Sequence, residues 1–149
     1  MSAGTIRVGI GGWTYEPWRG VFYPDGLAQK RELEFAGRHV TAIEINATYY
    51  GRQKPTSFAA WAAAVPDGFK FSVKASRFAT NRKVLAEGAE SIEKFLTQGF
   101  TELDDRLGPI LWQFMATKRF ERDVFAYFIA GAKLRNPAAA QALIARLAR

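Results

Sequence analysis

The chain has 149 residues, no cysteine and a formal net charge of +7. Its 48% hydrophobic content excludes a disordered chain, and the missing thiols exclude disulfides, thiolate zinc sites and a cysteine nucleophile. No run approaches the ~18 uninterrupted apolar residues of a membrane span, and the first residues lack the basic stretch of a signal peptide. The expectation is therefore a soluble, cytoplasmic single domain over residues 1–149, with no membrane partner and a surface that favours anionic ligands or nucleic acid.

Four β-rich runs recur along the chain: Thr5–Ile10, Thr41–Asn46, Phe69–Lys74 and Pro109–Phe114. A polar or Gly/Pro-containing stretch follows each, and then helical periodicity. After the first run, Leu33, Ala36 and Val40 fall on one helix face. After the second, Pro55-Thr56 reads as a helix start, and Phe58, Trp61, Ala62 and Val65 continue it. Ile92, Phe95, Leu96 and Gly99 repeat the pattern after the third run, and Val124, Tyr127 and Phe128 do so before Gly131. An Ala-rich helix is expected from about Pro137. Alternation of this kind means parallel strands joined by right-handed crossovers. Polar residues at the strand ends favour a barrel over a doubly wound sheet, because barrel strands open onto an active face there.

Five separated motifs carry a resemblance. They are Gly11-Gly12-Trp13-Thr14-Tyr15, Trp18 through Pro24, Glu44-Ile45-Asn46-Ala47-Thr48-Tyr49-Tyr50, Pro66 through Phe71 with Lys74, and Asp105 through Pro109 with Trp112-Gln113-Phe114. In this order they closely resemble the YecE-like family, domain of unknown function 72, over roughly residues 5 to 129. The resemblance implies a TIM barrel and no assigned activity. A complete barrel takes ~250 residues, and Ala130 to Arg149 do not read as further strands. The fold class expected is α/β, with TIM-barrel-type strand-helix units making about half of a (β/α)8 barrel.

Candidate site residues cluster at the C-terminal ends of the strands. Trp13, Tyr15 and Trp18 sit among glycines in the first loop. They would stack on a ligand face or else plug the barrel top. Gly9-Ile10-Gly11-Gly12 is not a dinucleotide fingerprint, because the third glycine of that motif falls on Thr14. Glu44 and Asn46 alternate with Ile43 and Ile45, so the isoleucines should face the helices and the polar pair the interior. Glu44 is the general acid/base candidate, and its alternative role is an ion pair with Lys74 on the next strand. Lys74 and Arg77 would clamp an anion. Tyr49 lines the mouth, and Gln113 ends the fourth strand.

His39, the single histidine, precedes the second strand on the opposite side and reads as structural. No metal site and no particular cofactor emerges; magnesium through Glu44 has little support. Mouth segments contain Arg19, Arg52, Lys54, Lys74, Arg77, Arg82, Lys83, Lys118 and Arg119 against Glu16, Asp25 and Glu44.

The reading is an uncharacterised YecE-like protein that binds or processes an anionic, phosphorylated small molecule at the barrel mouth. The alternatives are a nucleic-acid-binding module using the same basic, aromatic mouth and an inactive truncated barrel. Four strands cannot close a barrel, so an apolar inner face including Val8, Ile10, Phe71, Val73 and Leu111 is expected to lie open. A homodimer completing the sheet would cover it.

Overall fold

A computed structural model describes residues 4 to 115, which belong to a compact unit ending at Ala116. The expected helices around Val124 and from Pro137 onward, together with Lys118 and Arg119, lie outside the described residues.

The chain builds four parallel strands in sequence order: β1 (Gly9–Gly11), β2 (Ala42–Ile45), β3 (Lys70–Lys74) and β4 (Leu107–Leu111). Between them lie α1 (Glu32–His39), α2 (Ala47–Tyr50), α3 (Pro55–Ala63), α4 (Arg77–Thr80) and α5 (Ala89–Leu96). Consecutive parallel strands with intervening helices form the strand-helix architecture of a TIM-type barrel, about half of one. Each strand is shorter or shifted relative to its sequence run. β1 starts only at Gly9, and β4 begins at Leu107 and stops before Trp112.

Local chemistry sets the helix bounds. α3 begins at Pro55, whose missing N–H is no loss in a first turn, after Lys54 in extended conformation. The turn after α5 reverses at Gly99, with φ +96°, a conformation that favours glycine. A Cβ there would also lie 2.6 Å from Pro55 Cγ. Close strand approach explains Gly9, where a Cβ would sit 2.2 Å from the Ala42 carbonyl oxygen.

One face of the sheet packs under the helices. Ile43, Ile45, Phe71 and Val73 are essentially inaccessible, and they pack with Phe58 of α3, Phe95 of α5, Phe100 and Leu103. Each such side chain contributes roughly 1.5–3 kcal/mol by leaving water. This corrects the expected open face. Phe71 stands in register with Ile43 and Val73 with Ile45, so both belong to the helix-covered core, and Ile10, paired with Ile43, packs against the same core. The alternate face carries Glu44 in register with Gly11 and Ser72, and it extends to Lys74 beside Leu111. That face is small and polar rather than apolar, because the period of two that buries Phe71 and Val73 turns Ser72 and Lys74 outward. Val8 and Leu111 are exposed.

A second buried cluster closes the bottom of the first loop. Glu32 is fully buried, and its Oε1 accepts a 2.7 Å hydrogen bond from Arg19 Nε. The Tyr23 hydroxyl, also buried, donates to the Trp13 carbonyl. Burial first, and the Glu32 charge second, push the Tyr23 phenol up to about 12.

Candidate functional site

The C-terminal strand ends, at Gly11, Ile45, Lys74 and Leu111, assemble the mouth. Lys74 Nζ lies 3.4 Å from Glu44 Oε1, with both side chains largely covered. Lys74 is also 5.2 Å from the centre of the Tyr49 ring. Thr48, buried at the start of α2, donates to the Lys74 carbonyl at 2.6 Å and so ties α2 to the end of β3. Tyr49 Oη in turn accepts a 2.9 Å hydrogen bond from Asn81 Nδ2, just after α4. The ring beneath Lys74 is thereby fixed from two sides.

Tyr50 stands at right angles to Tyr49, ring centres 5.1 Å apart. The Arg77 guanidinium lies 5.6 Å from the Tyr50 ring centre and 5.2 Å from that of Phe78. Two cations thus sit over two adjacent tyrosines, each position favoured by the ring quadrupole. Next to them is a cleft of about 300 Å³ whose lining includes Trp13, Tyr15, Asn46 and Tyr50.

The aromatic residues of the first loop divide between roles. Trp13 lines the cleft, yet its ring makes edge contacts with Trp61 at 5.3 Å and Phe71 at 6.4 Å, anchoring it to the core. Tyr15 is 41% exposed, and its hydroxyl donates to the Gly11 carbonyl at 2.8 Å. Trp18 packs among Tyr15, Phe22 and Tyr23 and does not line the cleft. Asn46 is not the last strand residue but the helical residue preceding α2.

Gln113 lies beyond β4, exposed, rather than at its end. Arg19 is committed to Glu32, so its charge is compensated rather than offered to the mouth. His39 stacks on Phe35 at 4.0 Å, with Nδ1 2.7 Å from the Phe35 carbonyl oxygen. No cluster of three metal-ligating side chains occurs among the described residues.

Tyr49, the tyrosine expected at the mouth, lies beneath Lys74, and its neighbour Tyr50, which the sequence does not single out, lines the cleft. Nor does the sequence single out Asn81, which sits between two short helices with no pattern to mark it. One residue step on a helix turns a side chain by about 100°, and an unbroken Tyr-Tyr pair gives no phase by which to choose.

No helix among the described residues is long and apolar enough to cross a membrane. No curated protein matches the chain. Two crystal structures of a DUF72 family protein from Enterococcus faecalis V583 are similar in fold at 19% identity. One has a TM-score of 0.50, with 92% of this chain and 45% of that one covered. The other has a TM-score of 0.52, with 93% and 46% covered. The chain thus spans less than half the length of these relatives. The family model described as "Protein of unknown function DUF72" matches residues 7–147, running past Ile129 where the sequence motifs fade, and the chain belongs to that family.

Proposed function

We propose that the mouth binds an anionic, phosphorylated small molecule, with its ring or sugar face against Trp13 and Tyr15 and its charge toward Lys74 and Arg77. The observation that carries this reading is the pair of cations held over adjacent rings, Lys74 on Tyr49 and Arg77 on Tyr50. Cations positioned before a ligand arrives lose less side-chain entropy on binding. An aromatic-walled cleft with a few polar groups is the usual build of a small-molecule site. Asn46 at the cleft edge would orient a hydroxyl. Glu44, 3.4 Å from Lys74, would exchange a proton with a bound ligand and serve as the acid/base residue.

Residue-resolved NMR titration with glucose 6-phosphate tests the reading, with glucose and a short single-stranded oligonucleotide as comparisons. Saturable shifts at the Gly12, Tyr15 and Asn46 amides with the phosphorylated sugar, absent with glucose, are expected. Shifts produced by the oligonucleotide alone would replace this reading with nucleic-acid binding.

A further inference from the structure

Two lysines stand on the described strands, and both belong to β3. Lys70 opens that strand and donates to the Asp105 carbonyl. Lys74 closes it, at the end where the mouth forms. Its side chain is 17% exposed and that of Glu44 25%, with Nζ 3.4 Å from Oε1. The pair borders the aromatic cleft. Gly12, part of the cleft lining, donates its N–H to the Glu44 carbonyl at 2.8 Å. Tyr50, also in the lining, packs on the Tyr49 ring beneath the ammonium.

An amine with a carboxylate in reach, one of the two held by further groups, is the arrangement that activates a nucleophile. Here the lysine is the member held. Thr48 fixes its backbone through the bond to the Lys74 carbonyl, and Asn81 fixes the ring under its Nζ through the bond to Tyr49 Oη. Glu44 is the one acid that Lys74 meets among the described residues. Proton transfer inside the pair turns two charged groups into two neutral ones, a change that partial burial assists. The covered, strand-borne position also sets Lys74 apart from Lys30, Lys54, Lys83 and Lys94, which are exposed.

We propose that Lys74 forms an imine with the carbonyl carbon of an aldehyde or ketone that also carries an anionic group, and that Glu44 moves the protons. The anionic group rests on the mouth reading, with Arg77 beside Tyr50 to receive it. Glu44 first takes one proton from the ammonium. The freed Nζ lone pair attacks the carbonyl carbon, forming the C–N bond while the C=O π pair moves to oxygen. The nitrogen of the adduct passes a second proton to that oxygen. Glu44 then returns its proton to the same oxygen and the C–O bond breaks. Water leaves with two of the three ammonium protons. The nitrogen keeps the third as an iminium, and Glu44 is again a carboxylate beside a cation. No other reactant is consumed. An iminium draws electrons from the adjoining carbon, so bonds to that carbon are the ones such a site makes or breaks.

Incubation of the full chain with dihydroxyacetone phosphate and sodium borohydride, followed by peptide mass spectrometry, tests it, because borohydride reduces the iminium to a stable secondary amine. The reduced adduct is expected on Lys74 ahead of the exposed lysines. Glu44→Gln should slow its formation about a hundredfold, the lower end of general acid–base catalysis, and Lys70→Arg should leave it unchanged. Amide NMR with glucose 6-phosphate reports the mouth reading separately. Mouth shifts without a Lys74 adduct would overturn the imine and leave the mouth reading standing. An adduct formed equally well with unphosphorylated dihydroxyacetone would support the imine and remove the anion from the mouth reading. Label spread evenly over the exposed lysines, or a rate unchanged in Glu44→Gln, would overturn the proposal.

Discussion

Glu44 and Lys74 meet diagonally across the β2–β3 pair, Glu44 in register with Ser72 and Lys74 two residues further along, and their charged atoms are 3.4 Å apart. Both project from the face that the helices leave uncovered. The pair is covered enough to be fixed and open enough for a ligand to compete for the lysine.

This arrangement gives two substitutions effects of opposite sign. Lys74→Met should weaken glucose 6-phosphate binding at the mouth about tenfold, since a charged hydrogen bond is lost. Glu44→Gln should strengthen it several-fold by removing the carboxylate that competes for the ammonium. Calorimetric titration of both variants checks the pair. A matching loss in the two would assign Glu44 to direct ligand contact instead.

Gly9→Ala should cost about 2 kcal/mol or more of stability, in the range of an overpacked core substitution. The added methyl would stand 2.2 Å from the Ala42 carbonyl oxygen, and that atom is fixed in the β1–β2 ladder. Urea denaturation measures it, and a variant with wild-type stability would show that β1 is free to move away.

Tyr23 predicts a specific alkaline response. Its phenol is pushed up to about 12 from an ordinary 10 by burial and by Glu32, so the fold binds this proton more tightly than the unfolded chain does. The sign is then fixed: the contribution is complete below pH 10 and is lost as the pH rises from 10 through about 12. Denaturation midpoints measured across that interval should fall less steeply in Tyr23→Phe than in the wild type. Equal slopes would mean the hydroxyl is not held as described.

The homodimer expected from the sequence meets a changed face. Phe71 and Val73 are buried within the chain, so association would rest on strand edges and exposed groups rather than a broad apolar surface. β1 pairs only with β2 among the described strands, and Ile6 and Val8 beside it are 85% and 68% exposed. Such an edge pairs readily with another chain. Sedimentation at rising micromolar concentration should show a dimer that Val8→Lys shifts toward monomer. A concentration-independent monomer would reject it.

The alternation Ile43-Glu44-Ile45 and the helical spacing of Leu33, Phe58 and Phe95 were enough to give parallel strand-helix units and to place Glu44 opposite Lys74. Both patterns are local periodicities, and burial of the apolar set forces the polar set to the other side. The same alternation, Phe71-Ser72-Val73-Lys74, sets Phe71 and Val73 opposite Lys74, so an inner face holding all three goes against the strand's own period.

What only the tertiary structure decided involves partners distant in sequence. Arg19 belongs to a mouth segment of the sequence, yet its charge is taken up by the buried Glu32. Arg52, Arg82 and Ser91 share no motif, and they line one pocket because Gln98 fastens the Arg52 loop to the end of α5. Hydrogen bonds of this kind join residues such as Gln53 and Gln98 across the intervening α3, β3, α4 and α5. Periodicity records which way a side chain faces along its own element, whereas the choice of neighbour from another element depends on how the elements pack.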